Sequence, residues 1–445
     1  MNASRSADDG PASGSPIEPA ADPEAQFTVA DPGKEWRRGR GIPVVPAFDG
    51  YRALAIIGVV FFHVLLVSGV FASLGDSGMG VLTWGLLPRA PLTTLFIVSG
   101  FVIYLPTVAR DGDFGRVASF ALRRGARILP AYWVALGIAL VLLATVTPSP
   151  GVPGAGPIAT HFALLETPAL LAQSHYPLGL GVIPPVWTLS VELGFYVVLP
   201  LVAAAYFRHP VVWLAITAGV VVIWQEAALH ADGIAALFGA DLSQAAESRI
   251  HLYYASQFPS WAFALAAGMT GAWAYVRLRD RWPPEVLARF ALRATAVAAL
   301  TLAFFVYLAG HQAVNDPIPF NGLFARQSLV VALGYPAALA ATLVALTLLP
   351  GRFQSPFANS PIRWAADISY GIYLIHFAVI WVALRELSLP ADGSMWAVGA
   401  WGALVLPVSI AYAYLSARLL ERPVRRWAHR FGRRAQAPDE APAPA

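Results

Sequence analysis

The sequence predicts an all-α, polytopic membrane helix bundle of about ten transmembrane helices, with both chain ends in the cytoplasm. Apolar runs of about 20 residues recur along almost the whole chain, the length needed to cross roughly 30 Å of hydrocarbon. Of 445 residues, 57% are hydrophobic and only 13% charged, too little polar surface to cover a soluble core of this size. The arginines also alternate between crowded and sparse connectors, as the cationic bias of cytoplasmic loops requires.

Taken in order, residues 1–42 are rich in Pro, Ala, Ser and acid and are expected to form a disordered tail. They lack a basic stretch leading into an apolar one, so no cleavable signal peptide is expected. The membrane domain is expected over 43–430, with spans at 51–71, 86–106, 128–147, 185–206, 210–229, 255–276, 290–309, 327–349, 366–385 and 397–417. The runs are continuous in Leu, Ala and Val rather than alternating. They therefore read as helices, since lipid offers the backbone no hydrogen bonds. Turn residues punctuate the connectors: Thr147-Pro148-Ser149-Pro150-Gly151, Pro184-Pro185, Trp282-Pro283-Pro284 and Asn315-Asp316-Pro317. Residues 431–445 are expected to be a second disordered tail, and no soluble domain is expected between the tails.

With the N-terminus inside, the inner connectors hold Arg110, Arg116, Arg123, Arg124, Arg127, Arg208, Arg277, Arg279, Arg281, Arg289, Arg352 and Arg363. The C-terminal end adds Arg418, Arg422, Arg425, Arg426, Arg430, Arg433 and Arg434. The outer connectors hold only Arg89, Arg249, Arg326 and Arg385, and the long outer loop at 148–184 has no cation at all. One missed helix would break this alternation halfway along.

The absence of cysteine excludes a disulfide framework, a thiolate nucleophile and Cys-ligated zinc. No metal site is expected, and a net charge of +4 carries no nucleic-acid meaning. Lys34 is the single lysine, and the Arg, Ala and Pro excess reads as a high-GC bacterial coding style. The expected place is the bacterial plasma membrane, with membrane lipids as surroundings.

Ionisable groups at mid-bilayer cost several kcal/mol, so each is a functional candidate. His63, Glu192 and His376 fall at roughly 16, 22 and 18 Å from the inner ends of their helices at ~1.5 Å rise per residue. This predicts one shared buried site near the midplane. A lone histidine can equally donate to a carbonyl of a neighbouring helix, and Glu192 can be a structural partner of a buried cation. Arg52 precedes His63 by eleven residues, about three turns, so both side chains share nearly one face. That places a cation at the inner mouth and an imidazole inside, which suits an anionic donor with a reactive carbonyl at its tip. Asp49 is expected to cap the helix or pair with Arg52. Arg124 and Arg127, spaced i, i+3, share a face and with Arg123 could hold a diphosphate, although any inner loop attracts arginine.

The segments Phe48-Asp49-Gly50-Tyr51-Arg52-Ala53-Leu54-Ala55 running on to His63, Leu95-Phe96-Ile97-Val98-Ser99-Gly100-Phe101-Val102-Ile103 and Arg123-Arg124-Gly125-Ala126-Arg127-Ile128-Leu129-Pro130-Ala131-Tyr132 resemble the acyltransferase-3 family of integral membrane O-acyltransferases. Val186-Trp187-Thr188-Leu189-Ser190-Val191-Glu192, Ile368-Ser369-Tyr370-Gly371-Ile372-Tyr373-Leu374-Ile375-His376 and Glu421-Arg422-Pro423 complete the set in the family's order. The resemblance implies an Arg-x10-His motif at Arg52 and His63, an Arg-x-x-Arg motif at Arg124 and Arg127, and an acyl-CoA co-substrate (acetyl-CoA by default) taken from the cytoplasm. His63 and Glu192 become the catalytic candidates and Arg52, Arg124 and Arg127 the donor-binding ones. Arg123, Ser190, Tyr373 and His376 are additional candidates. The expected acceptor is a hydroxyl of a glycan, a lipid-linked sugar or a macrolide-type natural product. The sequence departs from the family after Glu192, where Leu193 and Gly194 stand in place of a second acid and a Gln. Many relatives carry a fused extracytoplasmic hydrolase-like domain, so this membrane domain is expected to acylate its acceptor itself or to pass the acyl group to a partner. The rival readings are a transporter or flippase for a lipid-linked sugar or small amphiphile, and a non-catalytic membrane scaffold.

Overall fold

The computed structural model describes residues 45–74, 89–146, 152–167, 181–237, 253–313 and 330–434. Every regular element among them is helical. The expected tail at 1–42 lies outside the described residues. So does residue 435 onward, whereas the last helix runs to Arg434, past the boundary expected at 431.

In chain order the helices are α1 (Pro46–Val67), α2 (Val70–Leu74), α3 (Arg89–Ala109), α4 (Val117–Thr145), α5 (Ala155–Phe162), α6 (Trp187–Arg208), α7 (Pro210–Leu229) and α8 (Ala231–Leu237). They continue with α9 (Phe258–Arg281), α10 (Pro284–Ala313), α11 (Tyr335–Leu348), α12 (Gly351–Ala358), α13 (Ser360–Glu386), α14 (Met395–Ser416) and α15 (Arg422–Arg434). Among the described residues eight helices are long and apolar enough to cross a bilayer, and the bent pair α11–α12 makes a ninth candidate span.

The span expected at 255–276 is present as α9, but it falls short of the others in hydropathy. The physical reason is its role at the centre of the bundle. Helices packed against helices in lipid favour small residues that let backbones approach. Gly268 of α9 faces Gly100 of α3: a Cβ at Gly100 would stand 2.0 Å from the Leu265 carbonyl oxygen, and one at Gly268 2.1 Å from that of Ile97. Alanine, glycine and serine replace leucine along α9 because it meets protein rather than lipid.

Other boundaries shift for local reasons. The first helix starts at Pro46, five residues before the expected edge, and ends at Ser68-Gly69, where Gly69 takes φ +81°. α4 begins at Val117 rather than at 128, so Arg123, Arg124 and Arg127 ride on a helical extension at its N-terminal end. α5 is an extra short helix in the long connection between α4 and α6. Between α11 and α12 the chain turns by 116°, and the buried Gln354 Nε2 donates to the carbonyls of Thr347 (3.0 Å) and Leu349 (2.7 Å) at that break. α12 then seats against the foot of α1, with the Phe357 ring edge-on to Tyr51 at 4.9 Å. Asn359 and Ser394 cap α13 and α14 by accepting from the Ile362 and Ala397 amides.

Candidate active site

Helices α1, α3, α4, α6 and α13 enclose a cavity whose polar lining includes Arg52, Ser99, Arg124, Arg127, Glu192 and Tyr196. One end, its mouth, is edged by Asp367, Glu421 and Arg425, and the other by Thr188 and Tyr373.

The cations reach the cavity in different states. Arg52 donates to the Ala366 carbonyl at 3.1 Å and pairs with Asp49 at 3.4 Å; Asp49 is therefore a partner of Arg52 and not a helix cap. Arg425 lies 3.4 Å from Asp367 Oδ1, while Arg422 holds Oδ2 through Nη2 (2.5 Å) and Nε (3.2 Å). Arg124 is half-buried with its guanidinium over the rings of Phe120 (5.7 Å) and Tyr196 (5.8 Å). Arg127, one turn on, is half-buried on the same lining. Neither Arg124 nor Arg127 gives a hydrogen bond to a described residue, so their planar donor forks stay available within the cavity. Arg123 is exposed and lies off the lining, so the expected three-arginine cradle comprises two of its members, joined by Arg52 and Arg425.

Glu192 lines the same cavity as these cations. Its Oε1 accepts from the Tyr196 hydroxyl at 2.5 Å and from Ser99 at 3.4 Å. The same tyrosine ring lies against Arg124, so Glu192 and Arg124 are linked through Tyr196.

The expected single site of His63, Glu192 and His376 is divided in two. Glu192 lines the cavity; neither histidine does. Instead His63 and His376 face each other, His376 Nε2 standing 3.2 Å from His63 Nδ1 with ring centroids 5.1 Å apart. Phe62 and Phe377 meet His63 edge-on at 5.1 and 5.2 Å. Ile56 lines the cavity two turns before His63 on α1, which puts the imidazole about 10 Å further along that helix. Tyr373 separates the compartments. Its hydroxyl donates to the Pro185 carbonyl and accepts from Thr188 Oγ1 at 2.6 Å, while its own carbonyl accepts from His376 Nδ1 at 2.8 Å. Helix spacing alone places residues on a face; it does not show that a tyrosine side chain lies between two groups of similar depth.

Ser190 points away from the cavity. Its hydroxyl bonds the Leu164 carbonyl (2.9 Å) and Glu166 Oε1 (2.8 Å) in the loop after α5. Glu166 is 3% exposed, Oε2 has no partner among the described residues, and burial pushes this loop carboxyl up to about 7. A protonated Glu166 donating to Ser190, which in turn donates to the Leu164 carbonyl, gives each member of the trio its own partner. His161 nearby is held by the Pro157 carbonyl (2.7 Å) and the Val182 amide (2.8 Å), and burial lowers its basicity.

Sequence reasoning did not single out Ser99, Tyr196, Asp367, Glu421 or Arg425. Tyr196 had a readable signal, standing one turn from Glu192. Glu421 and Arg422 belong to a quoted segment without an assigned role, and a five-residue π-helical turn (Ala417–Glu421) is what directs Glu421 to the mouth. Among the described residues no group of acids and histidines could hold a metal ion.

A cation-lined cavity inside an apolar helix bundle, beside a histidine pair, defines a multi-pass membrane protein with a buried polar site. Residues 45–416 match the model of acyltransferase family 3, an acyltransferase domain, and the chain belongs to that family, as the resemblance implied. It is 24% identical over 395 residues to the peptidoglycan O-acetyltransferase OatA of Listeria monocytogenes serovar 1/2a, covering 86% of this chain and 56% of that protein. It is 28% identical over 422 residues to the acyltransferase MdmB of Streptomyces mycarofaciens, covering 89% and 96%, and 27% over 396 residues to Nodulation protein 10 of Rhizobium leguminosarum bv. viciae, covering 84% and 92%. The chain thus spans little more than half the length of the first of these relatives and nearly all of the other two. No solved structure matches the chain significantly.

Proposed function

We propose that the protein is an O-acyltransferase of the bacterial plasma membrane, with both chain ends in the cytoplasm, that moves an acyl group, acetyl by default, from acyl-CoA to a hydroxyl. The acceptor class is a glycan, a lipid-linked sugar or a macrolide-type natural product. The observation that carries the reading is the pair Arg124 and Arg127: two half-buried guanidinium groups line the cavity with no hydrogen bond to a described residue. Unpaired cations inside a membrane protein mark a binding site for an anion, and guanidinium is suited to bidentate contact with phosphate.

In this reading Arg124 and Arg127, with Arg52 and Arg425 beside them, hold the donor's phosphates at the inner mouth while the pantetheine arm runs toward the far end. Glu192 sets Arg124 through Tyr196 and bounds the cationic patch. His63 is the general base. Its Nδ1 stands 2.9 Å from the Val59 carbonyl, which can only accept, so Nδ1 carries the proton and Nε2 keeps its lone pair. Nε2 takes the acceptor's hydroxyl proton, the alkoxide oxygen attacks the thioester carbonyl, the C–S bond breaks, and the proton passes to the departing thiolate. The ring is half-buried, so an acceptor can reach it.

Purified protein in detergent with radiolabelled acetyl-CoA tests the proposal, comparing wild type with His63→Ala. Release of free CoA, or retained label, that depends on His63 supports it. Absence of turnover and of donor binding in folded wild-type protein overturns it in favour of a transporter, which would move its substrate unchanged.

A further inference from the structure

We propose that His376 is the positioning residue of the acyl-transfer base, holding the Nδ1–H of His63 so that the charge His63 gains is stabilised by a fixed lone pair. This rests on the reading of His63 as the base. The His376 ring is oriented from below: Nδ1 lies 2.8 Å from the Tyr373 carbonyl and 3.3 Å from that of Ile372, both acceptors only. Nδ1 must therefore carry the proton of neutral His376, and Nε2 must present a lone pair. That lone pair points at His63 Nδ1, 3.2 Å away, which the Val59 carbonyl independently requires to be protonated. Two separate backbone constraints, one on each helix, thus agree on a single relay: Tyr373 carbonyl, His376, His63, open Nε2.

Exposure divides the roles. His376 is fully buried (0% exposed), whereas His63 is half-buried. Only His63 can meet a substrate, so His376 acts through it. The Nδ1–H of His63 is shared, lying between the Val59 carbonyl of its own helix and the His376 lone pair from α13 in a three-centre arrangement. When Nε2 of His63 takes a proton, the cation forms in apolar surroundings set by Phe62 and Phe377. The His376 lone pair reaches His63 Nδ1 from another helix at 3.2 Å. A buried carboxylate serves the same end in hydrolase triads; here a neutral imidazole does so without adding a charge to the bilayer.

The test uses full-length protein carrying His376→Leu, which fills the apolar space without a lone pair, and His376→Gln, whose Oε1 can accept from Nδ1–H. His376→Leu should lower kcat by about 10- to 100-fold, the worth of one hydrogen bond to a charged group. KM for acetyl-CoA should stay within about two-fold. His376→Gln should recover most of kcat. A leucine variant with wild-type kcat overturns the proposal, as does a glutamine variant as slow as leucine when both bind donor and melt like wild type. If the leucine variant does not fold, ¹⁵N-histidine spectra of wild type decide. A His63 Nε2 resonance in the unprotonated range supports the relay, and a mixed or Nε2-protonated ring overturns it. Full activity in His63→Ala would instead sink the base assignment on which this rests.

Discussion

Asp367 holds two arginines at once, Arg422 through Oδ2 at 2.5 Å and Arg425 through Oδ1 at 3.4 Å, and so fastens α15 to the foot of α13. All three side chains are about one-third exposed, so solvent and salt screen the pairs. Asp367→Asn should therefore cost only about 1 kcal/mol of stability. Because Arg425 edges the cavity, the same change should also raise KM for acetyl-CoA. Melting curves at low and high salt check the first part, and the difference from wild type should narrow as salt rises.

Arg124→Lys and Arg127→Ala are each expected to raise KM for acetyl-CoA by about ten-fold or more, with the smaller effect on kcat. Lysine keeps the charge but loses the planar fork and the face-on contact with Tyr196 and Phe120. The defect should vanish when acetyl-pantetheine, which lacks the nucleotide phosphates, replaces acetyl-CoA. A defect of equal size with both donors would place the arginines elsewhere in the reaction.

Gly100 and Gly268 admit no side chain at the α3–α9 crossing, since a Cβ at either meets a backbone oxygen near 2 Å. Gly100→Ala and Gly268→Ala should each destabilise the protein by about 3 kcal/mol or more, because the backbones themselves must part. Gly137, whose Cβ would meet nothing within 4 Å, provides the control, and Gly137→Ala should leave the melting temperature unchanged or slightly raised. Fluorescence-detected size exclusion after a heat step distinguishes them.

Glu166 gives a pH signature. Burial raises its pKa from 4.5 to about 7, so the folded protein binds a proton that the unfolded chain releases. Stability from this group is present below about pH 4.5 and is lost as pH rises through about 7. The full span corresponds to about 3 kcal/mol. Glu166→Gln should flatten that decline and make the variant the more stable form at pH 8. A wild-type decline unchanged in the variant would remove Glu166 as its source.

Helix content and most spans were readable because bilayer thickness and hydropathy constrain length and composition directly. α9 was readable as a helix, although its hydropathy is low, because it still lacks charge up to Arg277. That Arg124 and Arg127 share one helix face was readable from their i, i+3 spacing, which needs no tertiary information, and the structure places both, with Arg52 of α1, on the cavity lining. The division between Glu192 and the histidine pair was not. It depends on where the Tyr373 side chain goes, and that is fixed by Thr188 and Pro185, some 185 residues away in sequence. Arg425 was counted only as one of many inner cations, because its approach to the cavity depends on the π-helical turn before α15.

Burial is uneven between helices: 61% of the apolar window is buried in α3 and in α13, against 17% in α7 and 11% in α10. The two outlying helices pack on α9 and α11 and contribute nothing to the cavity lining. Changes in lipid length or packing press first on α7 and α10, whose side chains mostly meet hydrocarbon and need only be greasy. Their sequences can therefore drift freely within that one requirement, and reporter groups or fusion sites placed along them should disturb chemistry least.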